Sequence, residues 1–227
     1  MENPELMSEL PSHEALIGRL GTGLMPVRRL LPPWLRTVGW LLLVAAIAVV
    51  LLLHYGAEPM LRRWAGTPDL GWAGMGAVIT MICAAWAAFA LGVPGSRAAW
   101  AWLPLPGAVL WIGASGLGCL RLHLRDLVAA GTQVPTMHQS ADCLVFIISF
   151  SIPLSALLIV LLRRACPLRP ALTAVLIGLA SAAASASLLE ICHAYDAAAT
   201  DLLTHALAVA VVVAVNVAMG GRLLSKA

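Results

Sequence analysis

Six apolar runs separated by short polar breaks set the rhythm of this chain, at residues 38–53, 71–92, 103–120, 142–162, 171–191 and 202–219. Most approach the roughly 20 residues that a helix needs to cross a hydrocarbon core. No alternating ten-residue pattern suggests a barrel, so helices must satisfy the backbone inside lipid. The pattern predicts an all-α, polytopic membrane protein with six transmembrane helices over residues 38–220. A cytoplasmic leader, residues 1–37, precedes them. No small-residue cleavage site follows the first run, which reads as a retained span and not a secretory signal.

Within the runs, small residues cluster in "GWAGMG", "GASGLG" and "GLASAAASAS", predicting close helix approach. Pro153 predicts a kink, with Ser149, Ser151 and Ser155 placed to satisfy freed backbone groups. Asn216 predicts an interhelical hydrogen bond. There is no repeated half of the kind found in transporters built from inverted repeats.

Composition strengthens this reading. Hydrophobic residues make up 61% of the chain and charged ones 11%. Mean hydropathy is +0.91, far from that of a soluble domain. The basic residues then orient the spans. With the N-terminus inside, Arg19, Arg28, Arg29, Arg36, Arg97, Arg163, Arg164, Arg169, Arg222 and Lys226 are cytoplasmic, leaving only Arg62, Arg63, Arg121 and Arg125 outside. This asymmetry predicts that both termini are cytoplasmic. The net charge of +3 therefore belongs to topology and anionic lipid, not to direct nucleic-acid binding. Trp34, Trp40, Trp64, Trp72, Trp100 and Trp102 fall near predicted span ends, where amphipathic rings prefer to sit.

In the leader, "HEALIGRL" predicts a short helix begun at Ser12 and stopped at Gly21. Leu16, Ile17 and Leu20 form one apolar stripe. Two readings fit it: an interfacial or disordered segment, or a partner-binding helix that lays its stripe into a groove.

The chemistry collects in "LLEICHAYDAAATDLLTHAL", residues 188–207, which holds Glu190, Cys192, His193, Asp196, Asp201 and His205. On the predicted topology this is an external loop with its flanking helix ends. Cys143 opens the fourth span on the same side. The loop 163–170 is centred at 166.5, so Cys143 lies 23.5 residues before the centre and Cys192 25.5 after it. That two-residue difference is about 3 Å along a helix axis. Three readings fit two thiols at such similar depth. They form a disulfide, which an oxidising compartment allows; they end two helices without a shared role; or they bind metal. For the last, Cys143, Cys192, His193, His205 and His138 are candidate ligands of a transient divalent ion, though no CxxC or HxxxH spacing marks them. Glu190, Asp142, Asp196 and Asp201 read as solvated boundary carboxylates. No resident cofactor is indicated.

From Ala141 to His205 the chain resembles the NrsF-like anti-sigma factors, bacterial inner-membrane proteins with six spans. The resemblance rests on a cysteine opening the fourth span, a proline within it and the "LRR…P…P" turn. A small-residue fifth span, a Cys/His exit and a later His complete it. The leader "LIGRLGTGLMPVRRLLPP" is similar to that family's leader. The tract "CHAYDAAATDLLTH" departs from the family in lacking a Pro-rich acidic turn and a Trp before the His. The resemblance implies regulation without catalysis: an extracytoplasmic-function sigma factor held at the membrane and released under metal or oxidative stress. It also implies that the family's paired external cysteines correspond to Cys143 and Cys192.

On that reading residues 1–37 bind the sigma factor through Leu16, Ile17 and Leu20. Two rivals come from other classes. A membrane thiol oxidoreductase needs a reactive dithiol, usually CxxC, which the sequence lacks. A small metal transporter needs ionisable residues near the bilayer midplane, and the predicted span centres contain none.

Overall fold

The computed structural model describes residues 13–22, 30–128, 137–165, 167–192 and 199–225, all helical apart from short connections. The helices are α1 (His13–Thr22), α2 (Pro33–Tyr55), α3 (Glu58–Gly66), α4 (Pro68–Leu91), α5 (Leu105–Val128), α6 (Met137–Arg163), α7 (Pro170–Cys192) and α8 (Ala199–Ser225). A 3₁₀ turn, Ala98–Trp102, precedes α5. The chain divides into two units, Met1–Leu30 and Leu31–Ala227.

In the first unit, α1 covers the predicted "HEALIGRL" helix and runs on to Thr22, whose hydroxyl donates to Arg19 O at 2.9 Å. Leu16, Ile17 and Leu20 are all exposed on it.

In the second unit, sequence punctuation explains the helix ends. Pro33 and Pro68 occupy first helical positions, where a missing N–H costs nothing. Gly56 ends α2 with φ +78°, a left-handed conformation natural to glycine, and its N–H bonds Leu52 O at 2.8 Å. Thr67 separates α3 from α4 and caps α3 twice, through its N–H at 2.8 Å and its hydroxyl at 2.7 Å to Arg63 O.

Five helical segments are long and apolar enough to cross a membrane: Pro33–Tyr55, Pro68–Leu91, Ala98–Arg121, Leu144–Arg163 and Pro170–Cys192. The sixth expected span is shorter, its apolar stretch within α8 being Ala206–Met219.

Two helices form the centre. The windows in α4 and α7 are 67% and 78% buried, against 17–28% for the other three. α4 packs on α2, α5 and α7, while α7 packs on α2, α6 and α8. Both are apolar all round, as a helix enclosed by others must be.

Small residues let these backbones meet, though not all the expected ones. A Cβ on Gly76 would lie 2.5 Å from Trp111 N, and one on Gly107 2.7 Å from Thr80 N, so α4 and α5 touch main chain to main chain. Gly178 meets α8 similarly, 2.8 Å from Val213 Cα. Gly113 and Gly116 of "GASGLG" instead have nothing within 4 Å, so Gly107 makes the approach expected of that cluster.

The serines of α6 also differ from expectation. α6 continues through Pro153, and two of its serines, Ser151 and Ser155, join helices instead of serving their own backbone. Ser151 Oγ donates to Ser185 Oγ of α7 at 3.0 Å. Ser155 Oγ accepts from Asn216 Nδ2 of α8 at 3.1 Å, the interhelical bond expected of Asn216.

Arg36, in the first turn of α2, is buried with its guanidinium carbon 4.7 Å from the Phe89 ring centroid. Its Nε and Nη2 have no hydrogen-bond partner among the described residues. Unmet buried donors cost about 1–3 kcal/mol, comparable to the roughly 0.5–2 kcal/mol that a cation–π contact returns. Arg36→Met should therefore melt at or above the wild-type temperature in mild detergent. A loss of more than about 2 kcal/mol would contradict that balance.

Candidate signal-sensing site

At the C-terminal end of α7 the last carbonyls have no partner within the helix. Cys192, half-buried, donates its thiol to Leu188 O at 3.5 Å and is a free thiol. Arg63 reaches over from α3, its Nη2 donating to Glu190 O at 2.5 Å. A cation there also complements the negative end of the α7 dipole.

Glu190 is not the solvated boundary carboxylate the sequence suggests. It is half-buried, with its carboxylate against α4 where Gly74 leaves room. A Cβ on Gly74 would come 2.5 Å from Glu190 Oε2. Five residues earlier on α4, Asp69 is held by Arg121 of α5 across 2.6 Å. The Trp64 ring of α3 lies 3.8 Å from the Cβ position of Gly71. Thus α3, α4, α5 and α7 are tied at one end of the bundle by charged side chains.

Sequence reasoning missed Arg63, Asp69 and Arg121. Their signal was present: Arg62 and Arg63 are basic residues on the side predicted to hold few. Arg62 itself makes only an exposed pair with Glu58 at 3.2 Å, which contributes little.

Of the residues predicted to sense the signal or bind metal, only Cys192 has a described side chain. His138 and Cys143 lie in the first turns of α6 and His205 near the start of α8, so their backbones alone are placed. His193 lies outside the described residues, as do Asp196 and Cys166. Among the described residues no cluster of three or more His, Cys, Asp or Glu forms.

The backbone register is nonetheless informative. Ile147 of α6, Leu189 of α7 and Ala208 of α8 pack together in a buried cluster. From that contact Cys143 is four residues back along α6, Cys192 three forward along α7 and His205 three back along α8. Offsets of three and four return to the same helix stripe. The Ser151–Ser185 bond gives the same register, with Cys143 eight residues before Ser151 and Cys192 seven after Ser185. That one-residue difference is about 1.5 Å of depth.

The Arg62–Glu58 and Arg121–Asp69 pairs both lie at this end, where α3 lies. Fold and site together define a polytopic helical membrane protein with its polar machinery at one end of the bundle. A family model described as NrsF, negative regulator of sigma F, matches residues 20–225. The chain belongs to that family and is a membrane-embedded negative regulator of a sigma factor, a regulatory protein and not an enzyme. No curated protein and no solved structure matches it.

Proposed function

We propose that this chain holds an extracytoplasmic-function sigma factor at the bacterial inner membrane and releases it when the Cys192 end of the bundle senses metal or oxidant. In this reading α8 crosses the membrane as a sixth span, both termini are cytoplasmic, and the Cys192 end is periplasmic. Leu16, Ile17 and Leu20 of the leader contact the sigma factor. Their exposure on α1 supports that role.

The observation that carries the sensing role is the Ile147–Leu189–Ala208 contact. One turn beyond it in the same direction stand Cys143, Cys192 and His205. Two thiols and an imidazole suit soft or borderline metals, and thiols alone suit oxidants. His193, next in sequence to Cys192, and His138 are further ligands of a transient divalent ion in this reading. Binding or bonding there favours one arrangement of α6, α7 and α8, and the equilibrium shifts by the difference in affinity between arrangements.

The test is a sigma-dependent reporter read with and without cadmium ion or diamide, alongside co-purification of the sigma factor. Cys143→Ser and Cys192→Ser should each abolish induction while leaving unstressed co-purification intact. The double variant should be no worse than either, as expected for residues acting as one unit. Induction that survives loss of both thiols would overturn the sensor reading and leave them as packing residues at two helix ends.

A further inference from the structure

A lateral groove of about 290 Å³ runs between α6 and α8, away from the charged end just described. Its rim carries Ile152, Val160, Val215 and Met219, all exposed on the bundle surface. Its floor contains Ser151, Ser155 and Asn216, but their bonding is directed within the protein. Asn216 Nδ2 bonds Ser155 Oγ at 3.1 Å and Val212 O at 2.8 Å, and Ser151 bonds Ser185. What remains to line the groove is largely hydrocarbon. Along α6 it extends from Ile148 to Arg163, fifteen residues or about 22 Å, more than the roughly 15 Å depth of one leaflet. Arg163 closes one end, exposed and followed by Arg164.

We infer that this groove is a binding site for an anionic phospholipid, with one acyl chain along the α6–α8 seam and the phosphate at Arg163. A guanidinium matches phosphate geometry with paired donors, and Arg163 stands where the apolar groove reaches the basic 163–169 turn. A second copy of the chain fits less well. Helices associate in lipid through small residues that let backbones approach, and this rim bears branched and long side chains instead. A thin, flexible acyl chain enters where a helix is held off. The inference does not depend on the sensing role of the opposite end.

Native mass spectrometry of the full chain, in neutral detergent with added dioleoyl phosphatidylglycerol or dioleoyl phosphatidylcholine, tests it. One phosphatidylglycerol should be retained about fivefold better than phosphatidylcholine, the ratio expected of one basic residue near an anionic headgroup. Arg163→Gln should bring the two lipids to parity. Ala156→Trp, which fills the groove, should lower retention of both, with Val215→Trp as a second variant if the first fails to fold. Equal retention by the wild type, indifference to Arg163→Gln, or unchanged binding in a folded Trp variant would each overturn the site. A dimer lost with Ala156→Trp would assign the groove to a second copy instead.

Discussion

Gly76→Ala is expected to destabilise the membrane domain by about 3 kcal/mol or more, while Gly113→Ala, one helix away, leaves it unchanged or slightly firmer. The two glycines differ only in what lies opposite. At Gly76 the new methyl meets Trp111 N at 2.5 Å, Trp111 Cα at 2.7 Å and Gly107 O at 3.0 Å. These are main-chain atoms, so no rotamer change relieves the clash and α4 must separate from α5. At Gly113 nothing lies within 4 Å, and alanine there brings only its helix propensity. Gly107→Ala should resemble Gly76→Ala, because its methyl meets Thr80 N at 2.7 Å. Melting curves of the purified variants in mild detergent would decide. If Gly76→Ala and Gly113→Ala melt together, the main-chain contact between α4 and α5 is not what joins them.

The largest functional effect is expected in the leader. Leu16→Asp combined with Leu20→Asp should abolish sigma-factor co-purification and raise target transcription, with the protein still present in the membrane. Burying one leucine is worth roughly 1.5–3 kcal/mol, so losing two anchors removes about 3–6 kcal/mol. That corresponds to a fall in affinity of roughly a hundredfold to ten-thousandfold. Both side chains are exposed on α1, so the substitutions disturb no buried packing there. Quantitative blotting of membranes alongside co-purification separates lost binding from lost protein. Sigma binding that withstands both substitutions would move the contact to the turn at residues 163–170.

The sequence revealed the spans because lipid imposes one rule on every helix within it. The small-residue clusters announced close packing, and Gly76 and Gly178 do meet neighbouring main chains. Which small residues make contact depends on helix rotation, and rotation leaves no mark on composition; Gly107 and Gly113 therefore look alike in sequence. The five long spans were legible from length and hydropathy, whereas α3 was not, being nine residues long and half charged or small. At the site, Cys192 and Glu190 stood out as polar residues ending an apolar run. Their ties to Arg63 and Gly74 join positions far apart in the chain, beyond the reach of local pattern. The matching depth of Cys143 and Cys192 was legible because a short turn between antiparallel helices fixes it.

The centre of the bundle has a mechanical consequence. Between Ala180 and Ala186 the buried residues of α7 are all alanine or serine, which carry little side chain to bridge a gap. Lipid tails are as apolar as the neighbouring helices, so no hydrophobic gain pulls the parts back together. Apart from the Ser151–Ser185 bond, cohesion there comes from dispersion at contact distance, of which a separation of about 0.5–1 Å forfeits a quarter to a half. A seam of this kind is brittle and not elastic. It holds its closed geometry firmly, and once parted it offers little resistance to opening further.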